Sequence, residues 1–145
     1  MFGHLLAEAQ ADSVEYCEAV LLVEKNEKIL LLEKFPVAGQ GFYELPSGVI
    51  KEQESLQQAV RRVLIETISL SLKRVVRFLT YRDFLKNNKK GRAFYFIVEV
   101  NDPEDIALSK HHSFGWIEPK EAVGYPITED LREILDLHMK IKEQL

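Results

Sequence analysis

The sequence predicts an α/β fold in which a mixed β-sheet lies between helices. Two patterns carry that reading. Four β-prone runs, 16–24, 29–32, 72–84 and 93–100, alternate with two long amphipathic helical stretches, one mid-chain and one terminal. A third observation sets the scale: 145 residues, 46% apolar and 29% charged, suit one domain, 1–145, with a real core.

Residues 4–11 read as a short helix or a loose arm. Tyr16 to Glu24 reads as a buried strand, Asn26-Glu27 as a turn, and Ile29 to Leu32 as the return strand of a hairpin. Lys34 ends that strand. Residues 35–41 form a loop containing Pro36, Gly39 and Gly41 without the spacing of a phosphate-binding P-loop. Glu44-Leu45-Pro46-Ser47-Gly48 reads as a short strand broken at Pro46 and Gly48. Ser55 is a good N-cap, and Gln58 completes a capping box. In the helix that follows, Leu56, Ala59, Val60, Val63, Leu64 and Ile68 define one broad buried face.

Leu72–Phe84 and Ala93–Val100 read as two strand arms, the second rich in aromatic and β-branched residues, as in a buried sheet. The intervening segment carries Lys86, Lys89, Lys90 and Arg92. It reads as a solvated basic tip that discourages sheet-to-sheet pairing rather than as a nucleic-acid patch. After the acidic turn 101–105, His111 to Ile117 reads as loop into strand, and 118–123 as a short helical turn. Thr128 caps a final helix whose apolar stripe is Leu131, Ile134, Leu135, His138 and Ile141, with His138 partly buried.

Composition excludes several classes. A net charge of −4 gives no reason to expect a nucleic-acid partner. The one cysteine, Cys17, permits no intramolecular disulfide and reads as a small core residue rather than a nucleophile. His111-His112 has neither a Cys nor a second His at zinc spacing. No signal-peptide pattern opens the chain and no apolar run is long enough to span a bilayer, so no membrane partner and a cytoplasmic location are expected.

The stretch Gly48 to Leu70, GVIKEQESLQQAVRRVLIETISL, resembles the Nudix box: Gly, five residues, Glu, seven residues, Arg-Glu-apolar-x-Glu-Glu-x-Gly-apolar. Gly48, Glu54, Arg62, Leu64, Glu66 and Leu70 match it, and Tyr43-Glu44-Leu45-Pro46 is similar to the aromatic-x-x-Pro lead-in. Three positions depart: Val63 and Thr67 stand where the family has Glu, and Ser69 where it has Gly. The resemblance implies a Nudix-type (MutT-like) α/β/α sandwich, a cleft for nucleoside diphosphate derivatives, and hydrolysis assisted by Mg²⁺.

Positions 63, 66 and 67 are related as i, i+3 and i+4 and so share a helix face. An intact box gathers three carboxylates there to hold Mg²⁺, which prefers near-octahedral oxygen ligands and lowers the pKa of bound water. Here Glu66 is the residual catalytic carboxylate. It would ligate the metal together with the backbone carbonyl of Gly48, so magnesium binding is expected to be weak or absent. The resemblance also implies Lys34 for substrate phosphates and a structural pairing of Glu54 with Arg62 across the loop. Lys110 stands where the family has an acidic residue beside a His. Tyr43, with Phe42, Phe78 and Tyr81, is a candidate to stack a base or to fill the core. Glu44, Glu52, Glu99 and Glu118 are candidates to replace the missing carboxylates.

Three readings follow from the sequence: a Nudix hydrolase with weak or no turnover, a non-catalytic nucleotide- or nucleotide-sugar-binding sensor, and a purely structural or dimerisation module, for which a homodimer is a candidate partner.

Overall fold

Strand alternation decides the layering. In β1 (Tyr16–Lys25), Ala19, Leu21 and Val23 point to one face of the sheet and Leu22 to the other. In β2 (Lys28–Glu33), Leu30 and Leu32 share the first face, and Ile29 and Leu31 share the second. In β6 (Lys89–Val100), Phe94, Phe96 and Val98 oppose Tyr95 and Ile97 in the same way. Strands buried on both faces need a cover on each. The first cover is α1 (Gly3–Ala11) with α2 (Leu56–Ile68); the second is α3 (Pro119–Ala122) with α4 (Glu129–Glu143). The result is an α/β/α sandwich, seen in a computed structural model that describes residues 2–36, 39 and 41–144. Residues 37, 38 and 40 of the expected 35–41 loop lie outside the described residues.

The remaining strands are β3 (Tyr43–Glu44), β4 (Ser47–Val49), β5 (Leu72–Lys86) and β7 (Ser113–Ile117). The sheet runs β3-β2-β1-β6-β5, with β4 added to β1 and β7 to β2. β1 and β6 are parallel and the other pairs antiparallel, so the sheet is mixed. β1 and β2 pair at Glu24–Ile29 and Lys25–Lys28 and then part. Beyond that point β4 lies against β1 and β3 against β2, which opens the sheet between them.

Local chemistry explains the element ends. Ser55 Oγ accepts from Gln58 N (3.1 Å) and the Gln58 side chain accepts from Ser55 N (2.8 Å), so the capping box is complete. α2 stops at Ser69, which takes the left-handed conformation (φ 62°). Thr128 caps α4 by accepting from Leu131 N. Residues 3–11 are a helix, with Leu5 and Ala9 anchoring it to the core.

Two expectations need correction. The basic tip is only two residues long: Asn87 and Asn88 both take positive φ, and the arms of the hairpin reach Lys86 and Lys89. Two left-handed residues match the twist of paired strands, and Asn tolerates them well. Arg92 is therefore not part of a solvated tip. It is 2% exposed, donates to both carboxylate oxygens of Asp83 (2.6 and 3.0 Å) and to Asp12 (2.9 Å), and lies over the Tyr81 ring. Its long arm and fixed charge join α1's end to the β5–β6 hairpin. His138 is fully rather than partly buried, with Nε2 3.2 Å from Glu24 on β1.

Candidate functional site

The opening in the sheet forms a cleft of about 890 Å³. Lys34 and Phe35 follow β2 into it, Glu44 comes from β3, and Ser47 to Val49 from β4. Lys51 precedes α2, which contributes Arg62, Glu66 and Thr67, and the 109–111 loop supplies Ser109, Lys110 and His111.

Arg62 organises the floor. Its Nε donates to Glu54 Oε2 (2.8 Å), Nη2 to Glu54 Oε1 (3.0 Å) and to the Val49 carbonyl (2.6 Å), and Nη1 to Glu66 (2.5 Å). Glu54 also accepts from Lys51 N (3.0 Å), which closes the loop on the helix. The hydrogen bonds from Arg62 hold the Glu54 carboxyl below the usual range despite its burial. Bidentate carboxylate pairing is what a planar guanidinium does best.

Gly48 sits against the helix. A Cβ there would fall 2.9 Å from Val63 Cγ2, so the close approach of β4 to α2 depends on glycine. The same contact shows that Val63 is 1% exposed and belongs to the core, not to the cleft wall. The expectation that 63, 66 and 67 all front the cleft holds for 66 and 67 alone. The apolar spacing that set Val63 on the buried face with Val60 and Leu64 is the reading that holds for that position.

The donor set in the cleft fits magnesium poorly. Val63 offers no oxygen and is buried. Thr67 Oγ1 donates back to the Val63 carbonyl (2.6 Å). Glu66 is paired with Arg62. Ile50 N bonds Cys17 O and Leu21 N bonds Pro46 O, and the Ala19–Gly48 register between them makes a bonded pair by alternation. The Gly48 carbonyl is thus directed at β1. Among the described residues no three His, Cys, Asp or Glu side chains converge as a metal site.

Two contacts escaped sequence reasoning. His111 Nε2 lies 2.7 Å from Glu44 Oε2, and its Nδ1 is buried without a hydrogen-bond partner among the described residues. Glu44 also faces Lys34 at 3.9 Å. The partners are far apart in sequence, and only the antiparallel addition of β3 and β7 to β2 brings them together. The 107–109 segment is likewise fastened to α2: Ala107 N donates to Ile68 O, Ser69 Oγ to Ala107 O, and Ser109 Oγ to the Glu66 carbonyl. Of the four candidate replacement carboxylates, Glu44 alone lines this cleft; Glu52 lies in a separate groove and Glu99 pairs with Arg74.

Tyr43 does not line the main cleft. It borders an adjoining pocket of about 260 Å³, edge-on to Tyr125, beside Phe42 and Lys34. Phe78 packs against Phe94 and Phe96 in the core, and Tyr81 carries Arg92.

The mixed sheet between helix layers, with a loop–helix unit at its opening, matches known proteins. The NUDIX domain model matches residues 17–138, and the chain belongs to that family. No curated protein matches the chain. Among solved structures, the E. coli ORF135 protein is 20% identical, with a TM-score of 0.77 over 91% of this chain and 94% of that one. The MutT protein from Methanosarcina mazei Go1 is 21% identical, with a TM-score of 0.73 over 88% and 95%. The NUDIX domain of Shewanella oneidensis NrtR, solved with ADP ribose, is 18% identical, with a TM-score of 0.65 over 92% and 96%. These likenesses are of fold. No helix among the described residues is long and apolar enough to cross a membrane.

Proposed function

We propose that this chain binds a nucleoside diphosphate derivative in the cleft beside α2 and hydrolyses it slowly or not at all. The observation that carries the reading is the state of the box carboxylates. Glu66 is held by Arg62, Thr67 bonds its own helix, and Val63 is buried, so the face that would gather Mg²⁺ has one carboxylate, already paired. Magnesium binding is accordingly weak or absent. Glu54 and Arg62 act as a structural pair. Lys34 serves the phosphates, and Tyr43, at the junction with the smaller pocket, borders the position for a base or sugar.

ADP-ribose, which the NrtR NUDIX domain holds, joins a base, two sugars and a diphosphate and is the first ligand to try. A thermal-shift screen of nucleoside diphosphate derivatives, with and without Mg²⁺, tests the reading. A ligand that binds only the folded state raises the melting temperature by mass action, whether or not it is cleaved. Stabilisation by at least one such compound is expected. No shift with any of them at millimolar concentration would overturn the proposal.

A further inference from the structure

We propose that the cleft binds the diphosphate without metal, through a cradle of lysines that replaces the charge of the cation. The inference rests on the nucleotide reading above and deepens it.

Four cationic side chains, Lys34, Lys51, Arg62 and Lys110, line the cleft against three carboxylates, Glu44 and Glu66 in the cleft and Glu54 behind Arg62. Arg62 is occupied by Glu54 and Glu66, and Lys34 lies 3.9 Å from Glu44. Lys51 and Lys110 have no carboxylate within ion-pair distance among the described residues. The cleft thus holds uncompensated positive charge on a chain whose formal net charge is −4. A local excess of positive charge raises the concentration of the opposite ion. A diphosphate joining two organic groups carries a negative charge on each phosphorus. It needs cations whether they arrive as Mg²⁺ or as ammonium groups.

The lysines rise from backbone that is already fixed. Lys34 N bonds Phe42 O (2.8 Å). Lys51 N bonds Glu54, which Arg62 clamps. Lys110 sits between Ser109, bonded to the α2 backbone, and His111, bonded to Glu44. Binding through these three lysines therefore orders side chains on backbone that is already hydrogen-bonded, which lowers its entropic cost. Where the family resemblance implies an acidic residue, position 110 carries a lysine.

Calorimetric titration of the intact chain with ADP-ribose and with inorganic pyrophosphate, in EDTA and in Mg²⁺, tests this. Both are expected to bind in EDTA, to gain less than about twofold from Mg²⁺, and to weaken as salt screens the lysines. Lys51→Glu and Lys110→Glu are each expected to lower pyrophosphate affinity at least about tenfold. Both side chains are exposed, so folding should survive, and a melting curve checks it. Lys140→Glu, in the last turn of α4 on the other face of the sheet, should change nothing. Binding that disappears in EDTA and returns with Mg²⁺ overturns the lysine cradle but leaves the nucleotide reading standing. Unchanged affinity in both charge reversals also overturns it. Failure of both ligands to bind under either condition overturns the lysine cradle, and the thermal-shift screen of the other nucleoside diphosphate derivatives then decides the nucleotide reading.

Discussion

Arg62 makes three hydrogen bonds that fix the loop, two to Glu54 and one to the Val49 carbonyl, and a fourth to Glu66 on its own helix. Arg62→Ala leaves the Glu54 carboxylate, 13% exposed, without its partner. The expected cost is on the order of 1–3 kcal/mol, read as a lower melting temperature. An unchanged melting temperature would remove the structural role. At Ser69 two effects oppose. Left-handed φ favours glycine, but Ser69 Oγ also donates to the Ala107 carbonyl. Ser69→Gly relieves strain and breaks that bond, so its net effect is expected to lie within about 0.5 kcal/mol of zero. Ser69→Ala breaks the bond without relief and should be less stable than the glycine variant by about 1 kcal/mol. Equal stabilities would mean that backbone strain does not matter there. Residue chemistry acting within one turn of chain was legible in the sequence, as Ser55 and Gln58 show. The Glu44–His111 contact was not, because nothing local in either segment names the other.

At the scale of elements, periodicity gave the strands and helices because burial on both sheet faces forces it. The sequence did not reveal where β1 and β2 separate, since that depends on β3 and β4 adding to different neighbours. It also mistook Arg92 for a solvated residue, since charge in a turn-like stretch usually is one. The α4–β1 contact yields a pH prediction. Glu24, 16% exposed, has a carboxyl oxygen 2.6 Å from Lys142 and 3.2 Å from His138. Burial alone would raise its pKa, but contact with His138 and Lys142 outweighs that and holds it at about 2, against 4.5 for the free group. A carboxyl depressed on folding stabilises above its unfolded pKa. That contribution fades as pH falls from about 4.5 towards about 2. Glu24→Gln should therefore be less stable than wild type at neutral pH, by on the order of 2–3 kcal/mol, with the gap closing across that acid window. Urea unfolding at a series of pH values reads it, and a gap independent of pH would show that Glu24 is not ionised against its partners.

For the whole molecule, fold and chemistry separate. The family fold depends on the sheet alternation, the capping box and the Arg62 clamp, all of which are intact. Metal chemistry of the box depends on carboxylates on the cleft side of α2, where Glu66 stands alone. Hydrolysis of common nucleoside diphosphate derivatives with Mg²⁺ at neutral pH is expected to be very slow. Charge neutralisation and an activated water supply several kcal/mol between them, and each ~1.4 kcal/mol is tenfold in rate. Restoring the face is asymmetric. Thr67→Glu places a second carboxylate beside Glu66 on the cleft and should strengthen Mg²⁺ binding, measurable by titration. Val63→Glu instead drives a carboxylate into the core against Gly48 and should destabilise the fold, because a buried unpaired charge is expensive. Brisk wild-type turnover that disappears in Glu66→Gln would show that another group has assumed the missing roles, with Glu44, held by His111, the first to examine. Unchanged Mg²⁺ affinity in Thr67→Glu would mean that position 67 does not serve the cleft, and the account of the lost metal face would fail with it.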